Sequence, residues 1–193
     1  MSEILADNLI SADEFLKGEF ISSIKHEFVA GNVYAMSGGS MAHQRIARNF
    51  ARHAGNQLVG KSCEPTNSDF LVRIDLGSDE AMYYPDGMII CHPVNDDEQF
   101  TTAPTVILEV LSPSTRRIDE AQKFRDYLTL PSLQTYILAE TDSATLTLYR
   151  RDGQTFKRHL ISGLDSILEL PEAGLTIPLR DLFEDVQFDQ PKS

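Results

Sequence analysis

The chain has 193 residues, enough for one hydrophobic core and too few for two comfortable domains. Its 41% apolar and 24% charged content is ordinary for a globular protein, and no apolar run approaches the ~20 residues that cross a bilayer. A net charge of −12 excludes a general nucleic-acid coat protein, whose affinity comes from many phosphate contacts.

Met1-Ser2-Glu3-Ile4 lacks the basic and apolar stretches of a secretion signal. Cys63 and Cys91 belong to no CxxC pair and no Cys/His zinc spacing, so neither a disulfide framework nor a zinc site is expected. A reducing cytoplasm is the expected location.

In chain order, residues 11–25 read as a first helix, with Ser11 and Glu14 spaced for a capping box. Residues 28–36 alternate around Ala30-Gly31-Asn32 and predict a hairpin. Ser40 can cap a helix over 41–58, in which Ile46, Phe50, Ala54 and Leu58 recur at every fourth position and Ala47 and Ala51 fill the same stripe. Strand-like runs follow at 70–74, 88–91, 106–111, 135–139 and 146–150. A second helix is expected over 117–130, ended by Pro131 and buried through Ile118, Ala121, Phe124 and Leu128. Asp152-Gly153 predicts a further hairpin into 155–161. The pattern is a mixed α/β (α+β) domain with one central sheet. It is expected to be a single unit over 1–193, its core at about 20–150 and a C-terminal extension, 151–193, packed on it or on a second subunit. Leu168, Leu170, Leu175, Ile177, Leu179 and Leu182 would form strands and a short helix there, with the acids facing solvent.

Charge is unevenly spread. No acidic residue occurs from Val29 to Cys63, a window holding Arg45, Arg48, Arg52 and Lys61, while acids gather at 96–98 and from 165 to 189. The three arginines fall opposite the apolar stripe of their helix. They form either a phosphate-attracting face or a solvated basic one.

Two acids break apolar runs: Asp86 in Tyr84-Pro85-Asp86-Gly87-Met88 and Glu109 in Val106-Ile107-Leu108-Glu109-Val110-Leu111. Ionised carboxylates in a core cost several kcal/mol, and acids on neighbouring strands can hold a hard cation such as Mg²⁺. His43 lies within the apolar stripe, in the first helical turn. It is either an inward-facing functional group or a core histidine satisfied by a carbonyl. Glu27, at a strand start, would ordinarily be solvated. Lys123 lies off the expected buried stripe, where the periodicity favours a surface pair with Asp119 over a cleft-facing role shared with Tyr127. Ser112-Pro113-Ser114-Thr115 leads into this helix, with Thr115 as cap and Arg116 and Arg117 following, a weak anion-site signal. Nucleophile-elbow, phosphate-loop, dinucleotide and HExxH motifs are missing from the sequence.

The ordered string Glu27-x-x-x-Gly31, His43, Pro85-Asp86, Glu109-Val110-Leu111-Ser112-Pro113-Ser114-Thr115 and Asp119-x-x-x-Lys123-x-x-x-Tyr127 resembles the Uma-type restriction endonucleases, a branch of the PD-(D/E)XK nuclease superfamily. The resemblance implies a restriction-endonuclease-like core, a central mixed sheet flanked by helices, with Mg²⁺ or Mn²⁺ held by Asp86, Glu109 and the Val110 carbonyl. It implies a DNA endonuclease acting as a homodimer, with Glu27 working through a water or a second metal and His43 orienting a ligand or phosphate. The usual lysine position after the glutamate holds Leu111, and by resemblance the lysine has migrated to Lys123. On charge and placement alone, Arg45, Arg48, Arg52, Arg116, Arg117 and Tyr127 are the expected nucleic-acid contacts. Gly87 departs from the commoner branched residue and is expected to loosen the backbone beside Asp86. A non-catalytic binding module on the same scaffold, or a metallohydrolase of small phosphorylated substrates, would account for the same residues.

Overall fold

Ser11 opens the first helix of the computed structural model, which describes residues 9–36, 38–113 and 116–188. The Ser11 N–H donates to the Glu14 carboxylate at 2.8 Å and its hydroxyl accepts from the Glu14 N–H, so α1 (Ala12–Glu19) starts on a reciprocal capping box. The expected continuation to residue 25 does not form. Glu19 instead accepts from the His26 N–H at 2.8 Å and contacts His26 Nδ1 at 2.9 Å, which folds the chain back into a strand. That strand, β1 (His26–Val29), pairs with β2 (Asn32–Ala35) through a turn in which Ala30 and Gly31 both have positive φ.

The long helix α2 (Met41–Leu58) has the predicted bounds. Ser40 accepts from the His43 N–H, and Ile46, Phe50, Ala54 and Leu58 are buried.

The strands form two larger sheets and a hairpin, where the sequence predicts one central sheet. β4 (Leu71–Asp75), β5 (Glu80–Tyr83) and β7 (Phe100–Thr101) join the first hairpin in the order β2-β1-β5-β4-β7. β3 (Glu64–Asn67), β6 (Gly87–Ile90), β8 (Val106–Val110), β9 (Thr135–Ala139), β10 (Thr145–Asp152) and β11 (Thr155–Ser162) form a six-stranded mixed sheet, ordered β11-β10-β9-β8-β6-β3. The chain crosses between the sheets at Tyr84-Pro85-Asp86, where proline has no N–H to continue a ladder. β12 (Ile167–Leu170), β13 (Leu175–Pro178) and α5 (Leu179–Leu182) follow.

β8 is buried on both faces, which explains its unbroken apolar run. Val106, Leu108 and Val110 pack toward α2 and the β12–α5 segment, whose Leu168, Leu170, Leu175, Ile177, Leu179 and Leu182 join the same core. Ile107 and Leu111 point the other way, against Val72, Ile74, Ala81 and Tyr83 of the first sheet and against Tyr127. Alternation therefore sends the Glu109 side chain into the space between the two sheets.

Gly87 also has a packing role. A Cβ there would lie 2.8 Å from Phe50 Cδ1, so the glycine admits the α2 aromatic ring against β6. Cys63 and Cys91, separated by 28 residues, form a disulfide that extends the β3–β6 ladder. The spacing of the two cysteines, which belongs to no framework, does not announce this single bridge. Among the described residues, no helix is long and apolar enough to cross a membrane.

Candidate active site

Asp86 sits in the crossover just before β6. Extending the antiparallel register Gly87↔Leu108 by one pair sets it across from Glu109. Its Oδ1 lies 2.8 Å from His43 Nε2, and its Oδ2 accepts from the Val110 N–H at 2.8 Å. N–H and C=O of one strand residue leave on the same edge, so the Val110 carbonyl also faces this side. His43 is thus no carbonyl-satisfied core histidine. One ring nitrogen meets Asp86, while Nδ1 is buried without a hydrogen-bond partner among the described residues. Gly39 makes room for the ring, since a Cβ there would approach His43 Cγ to 2.8 Å.

The other half of the cluster comes from the second helix, which is not regular. α3 (Arg116–Ile118) passes through a π-helical turn, Asp119–Lys123, into α4 (Phe124–Tyr127). The wider turn shifts every following side chain around the axis. Asp119, Lys123 and Tyr127 become the buried stripe, while Ile118 is 45% exposed and Ala121 is exposed. Ile118 and Ala121 thus leave the predicted stripe, while Phe124 and Leu128 stay half-buried against the core, and the surface reading of the Asp119–Lys123 pair does not hold.

Lys123 Nζ lies 2.8 Å from Glu27 Oε1, 3.2 Å from Glu109 Oε1 and 3.6 Å from Asp119 Oδ1. The Glu27 contact is an ion pair without hydrogen-bond alignment. Glu27 is therefore engaged, not a solvated strand-start acid. The ammonium also stands 5.4 Å above the Tyr83 ring. Glu109 Oε1 accepts a second bond from the Tyr127 hydroxyl at 3.1 Å. Around this core the Tyr83 hydroxyl donates to Asp126 at 2.6 Å, and the Tyr136 hydroxyl donates to the Asp119 carbonyl at 3.0 Å. Tyr83, Tyr136 and Asp126 carry no sequence signal, because tyrosines in strand-like runs read as ordinary core.

The electrostatics follow from one cation among several acids. Burial opposes the charged form of Lys123, but Glu109, Glu27 and Asp119 outweigh it and hold the ammonium pKa well above its usual range. Burial pushes the Glu109 carboxyl well above its ordinary value; Lys123 offsets part of this, and Asp119, Asp86 and Glu27 add to it. The cluster therefore keeps Lys123 charged and disfavours the charged form of Glu109. Burial, then Glu109, raises the Tyr127 phenol well above its range, so it serves as a donor.

The expected nucleic-acid contacts are mostly engaged within the chain. Arg45 Nη1 donates to the Asp185 carbonyl at 2.8 Å, Arg48 lies 3.8 Å from the Asp185 carboxylate, and Arg52 pairs with Glu184. Arg116 bonds Glu140 and Glu120, and Arg117 is exposed. Ser114 and the expected cap Thr115 lie outside the described residues.

Among the described residues, no three His, Cys, Asp or Glu side chains group closely enough to make a metal site by themselves. Mg²⁺, however, is commonly held by one or two carboxylates and keeps several waters. Asp86, Glu109 and the Val110 carbonyl form a hard, all-oxygen donor set of that kind. Burial first, with Asp119, Asp86 and Glu27 adding to it, raises the Glu109 pKa, a penalty on the charged carboxylate that a divalent cation would relieve. The residues fit such an ion.

Residues 12–180 match the family described as "Uma2: Putative restriction endonuclease". Two proteins of Synechocystis sp. (strain ATCC 27184 / PCC 6803 / Kazusa) are similar along most of their length. "Uncharacterized protein slr1290" is 33% identical over 93% of this chain and 94% of its own. "Uncharacterized protein sll1609" is 30% identical over 79% and 87%. A crystal structure from Anabaena variabilis ATCC 29413, described as a putative nuclease belonging to DUF820, superposes with a TM-score of 0.71. It is 19% identical and covers 90% of this chain and 97% of its own. That likeness establishes the fold, a restriction-endonuclease-like one.

Proposed function

Because the chain belongs to the Uma2 family, we propose that it is an endonuclease hydrolysing DNA phosphodiester bonds at Asp86, Glu109 and Lys123. One observation carries this reading: the π turn buries Lys123 against Glu109, one residue from the Val110 N–H that fixes Asp86. A purely structural helix gains nothing from burying a lysine and an aspartate where isoleucine and alanine were available.

Asp86, Glu109 and the Val110 carbonyl would hold Mg²⁺ or Mn²⁺, which supplies charge for a phosphate oxygen and a lowered pKa for water. The protein's own groups do the rest. Lys123 presents a fixed positive charge where the phosphoryl group gains negative charge, already oriented and in a site of low water content. Glu27 and Asp119 keep that amine protonated and in place. Tyr127 fixes the Glu109 carboxylate, and His43 fixes Asp86. One such cluster cuts one strand, so a homodimer would serve for double-strand cleavage.

Nicking of supercoiled plasmid in Mg²⁺ and in Mn²⁺ tests the proposal, with Asp86→Ala as control. Nicking by the wild type and none by the variant supports it. A wild type inert in both ions sinks it. A second reading, hydrolysis of small phosphorylated substrates, is favoured by the engagement of the α2 arginines with Glu184 and Asp185 and by the net charge of −12. Cleavage of a small phosphodiester without plasmid nicking would select it.

A further inference from the structure

The exposed side of α2 carries a row of cations, Arg45, Arg48 and Arg52, with no acid between Val29 and Cys63 to balance them. Their counter-charges come from far along the chain. Arg52 pairs with Glu184, Arg48 approaches the Asp185 carboxylate at 3.8 Å, and Arg45 bonds the Asp185 carbonyl at 2.8 Å. Asp185 holds a left-handed φ of 66°, unusual for a residue with a side chain, in the turn that presents it to α2.

What anchors this segment differs from what covers the arginines. Phe183 is buried, and Val186 and Phe188 pack on the same core. The fully buried Asn49 amide donates to the carbonyls of Leu182 and Glu184, each at 3.0 Å. Those contacts hold the backbone whatever side chains occupy 184 and 185. The two carboxylates themselves stay half to two-thirds exposed, at 51% and 67%, and exposed ion pairs contribute little to stability.

We infer that Arg45, Arg48 and Arg52 form a phosphate-binding row for nucleic acid, and that Glu184 and Asp185 occupy it as an internal competitor. Nucleic acid must displace two carboxylates to engage the row. The inference rests on the nucleic-acid reading given under Proposed function. It also reconciles that reading with the acidic net charge, because the cationic surface is covered in the unbound chain.

The test uses the full-length protein and fluorescence anisotropy of a labelled DNA duplex in EDTA, so that binding is read without cleavage. Glu184→Gln/Asp185→Asn is expected to bind on the order of tenfold more tightly than wild type at low salt, with a salt dependence steeper by roughly two phosphate contacts. Adding Arg45→Gln, Arg48→Gln and Arg52→Gln should remove the gain. Glu184→Gln alone should show a smaller gain, which keeps the test open if the double variant does not fold. A folded variant, by circular dichroism, that binds like wild type overturns the inference. Tighter binding without plasmid nicking by the wild type would keep the row and sink the nuclease. Nicking with unchanged binding would do the reverse.

Discussion

α2 and the helical segment 116–127 cover opposite faces of the six-stranded sheet and bury opposite kinds of side chain. α2 turns Ile46, Phe50, Ala54 and Leu58 inward and its arginines outward. The other segment turns Asp119, Lys123 and Tyr127 inward and leaves Ile118 exposed. Burying a lone lysine is costly. It is tolerated because β1 and β8 supply Glu27 and Glu109 within ion-pair distance. The difference teaches that a helix can bury a polar stripe beside an apolar one, and that the burial persists only where partners wait for the charge.

The sharpest way to break the contrast is to remove the buried cation. Lys123→Met leaves three acids facing each other, and denaturant unfolding at neutral pH is expected to show a loss of ~3–5 kcal/mol. The loss should shrink as pH falls, because the Glu109 carboxyl, whose pKa burial already raises, takes up a proton more readily without the ammonium. Nicking should fall by on the order of 100-fold or more. A variant as stable and active as wild type would make the π turn incidental.

On the α2 side, Gly87→Ala pushes a Cβ to 2.8 Å from Phe50 Cδ1. Overpacking of this kind costs ~1–3 kcal/mol, and a chevron or melting experiment reads it directly. No loss would mean that Phe50 can move aside. On the charged side, Tyr127→Phe deletes one donor to Glu109. About 1 kcal/mol of stability should go with it, together with a drop in nicking rate, because Glu109 loses one of its two fixed partners.

The smallest effect is one of pH. The Glu109 carboxyl has a raised pKa in the folded protein, so the native state binds more protons than the unfolded chain above the ordinary glutamate range of ~4.3. Stability should therefore fall as pH rises through that window toward the folded value. Melting temperatures measured in chelator across pH 4–8 should show the decline, and Mg²⁺ or Mn²⁺ should flatten it. A decline unaffected by either cation would count against ion binding at Asp86 and Glu109.

Sequence made the regular parts visible. Ser11 with Glu14, the bounds of α2 and the β9 run all follow from local capping or periodicity. β3 stayed hidden because Glu64-Pro65-Thr66-Asn67 is a polar edge strand interrupted by proline. With β3 hidden, nothing brought Cys63 and Cys91 together. Asp119, Lys123 and Tyr127 share one face at ordinary helical spacing, but a face with two charges reads as the outer one, so Lys123 looks outward without the resemblance. Asp86 and Glu109 stood out as acids in apolar runs. The tyrosines that support them did not, since an aromatic in a strand has a sufficient reason to be there already. The covering of the arginines depends on contacts separated by 132 residues or more, beyond the reach of local pattern.

Glu109→Gln separates a catalytic cluster from a structural one in a single preparation. The substitution removes a buried, desolvated charge while keeping the shape and an oxygen for Lys123 and Tyr127. Melting temperature and plasmid nicking in Mg²⁺ and Mn²⁺ should be measured together on this variant. The account predicts an unchanged or higher melting temperature with nicking lost; nicking at the wild-type rate would contradict it.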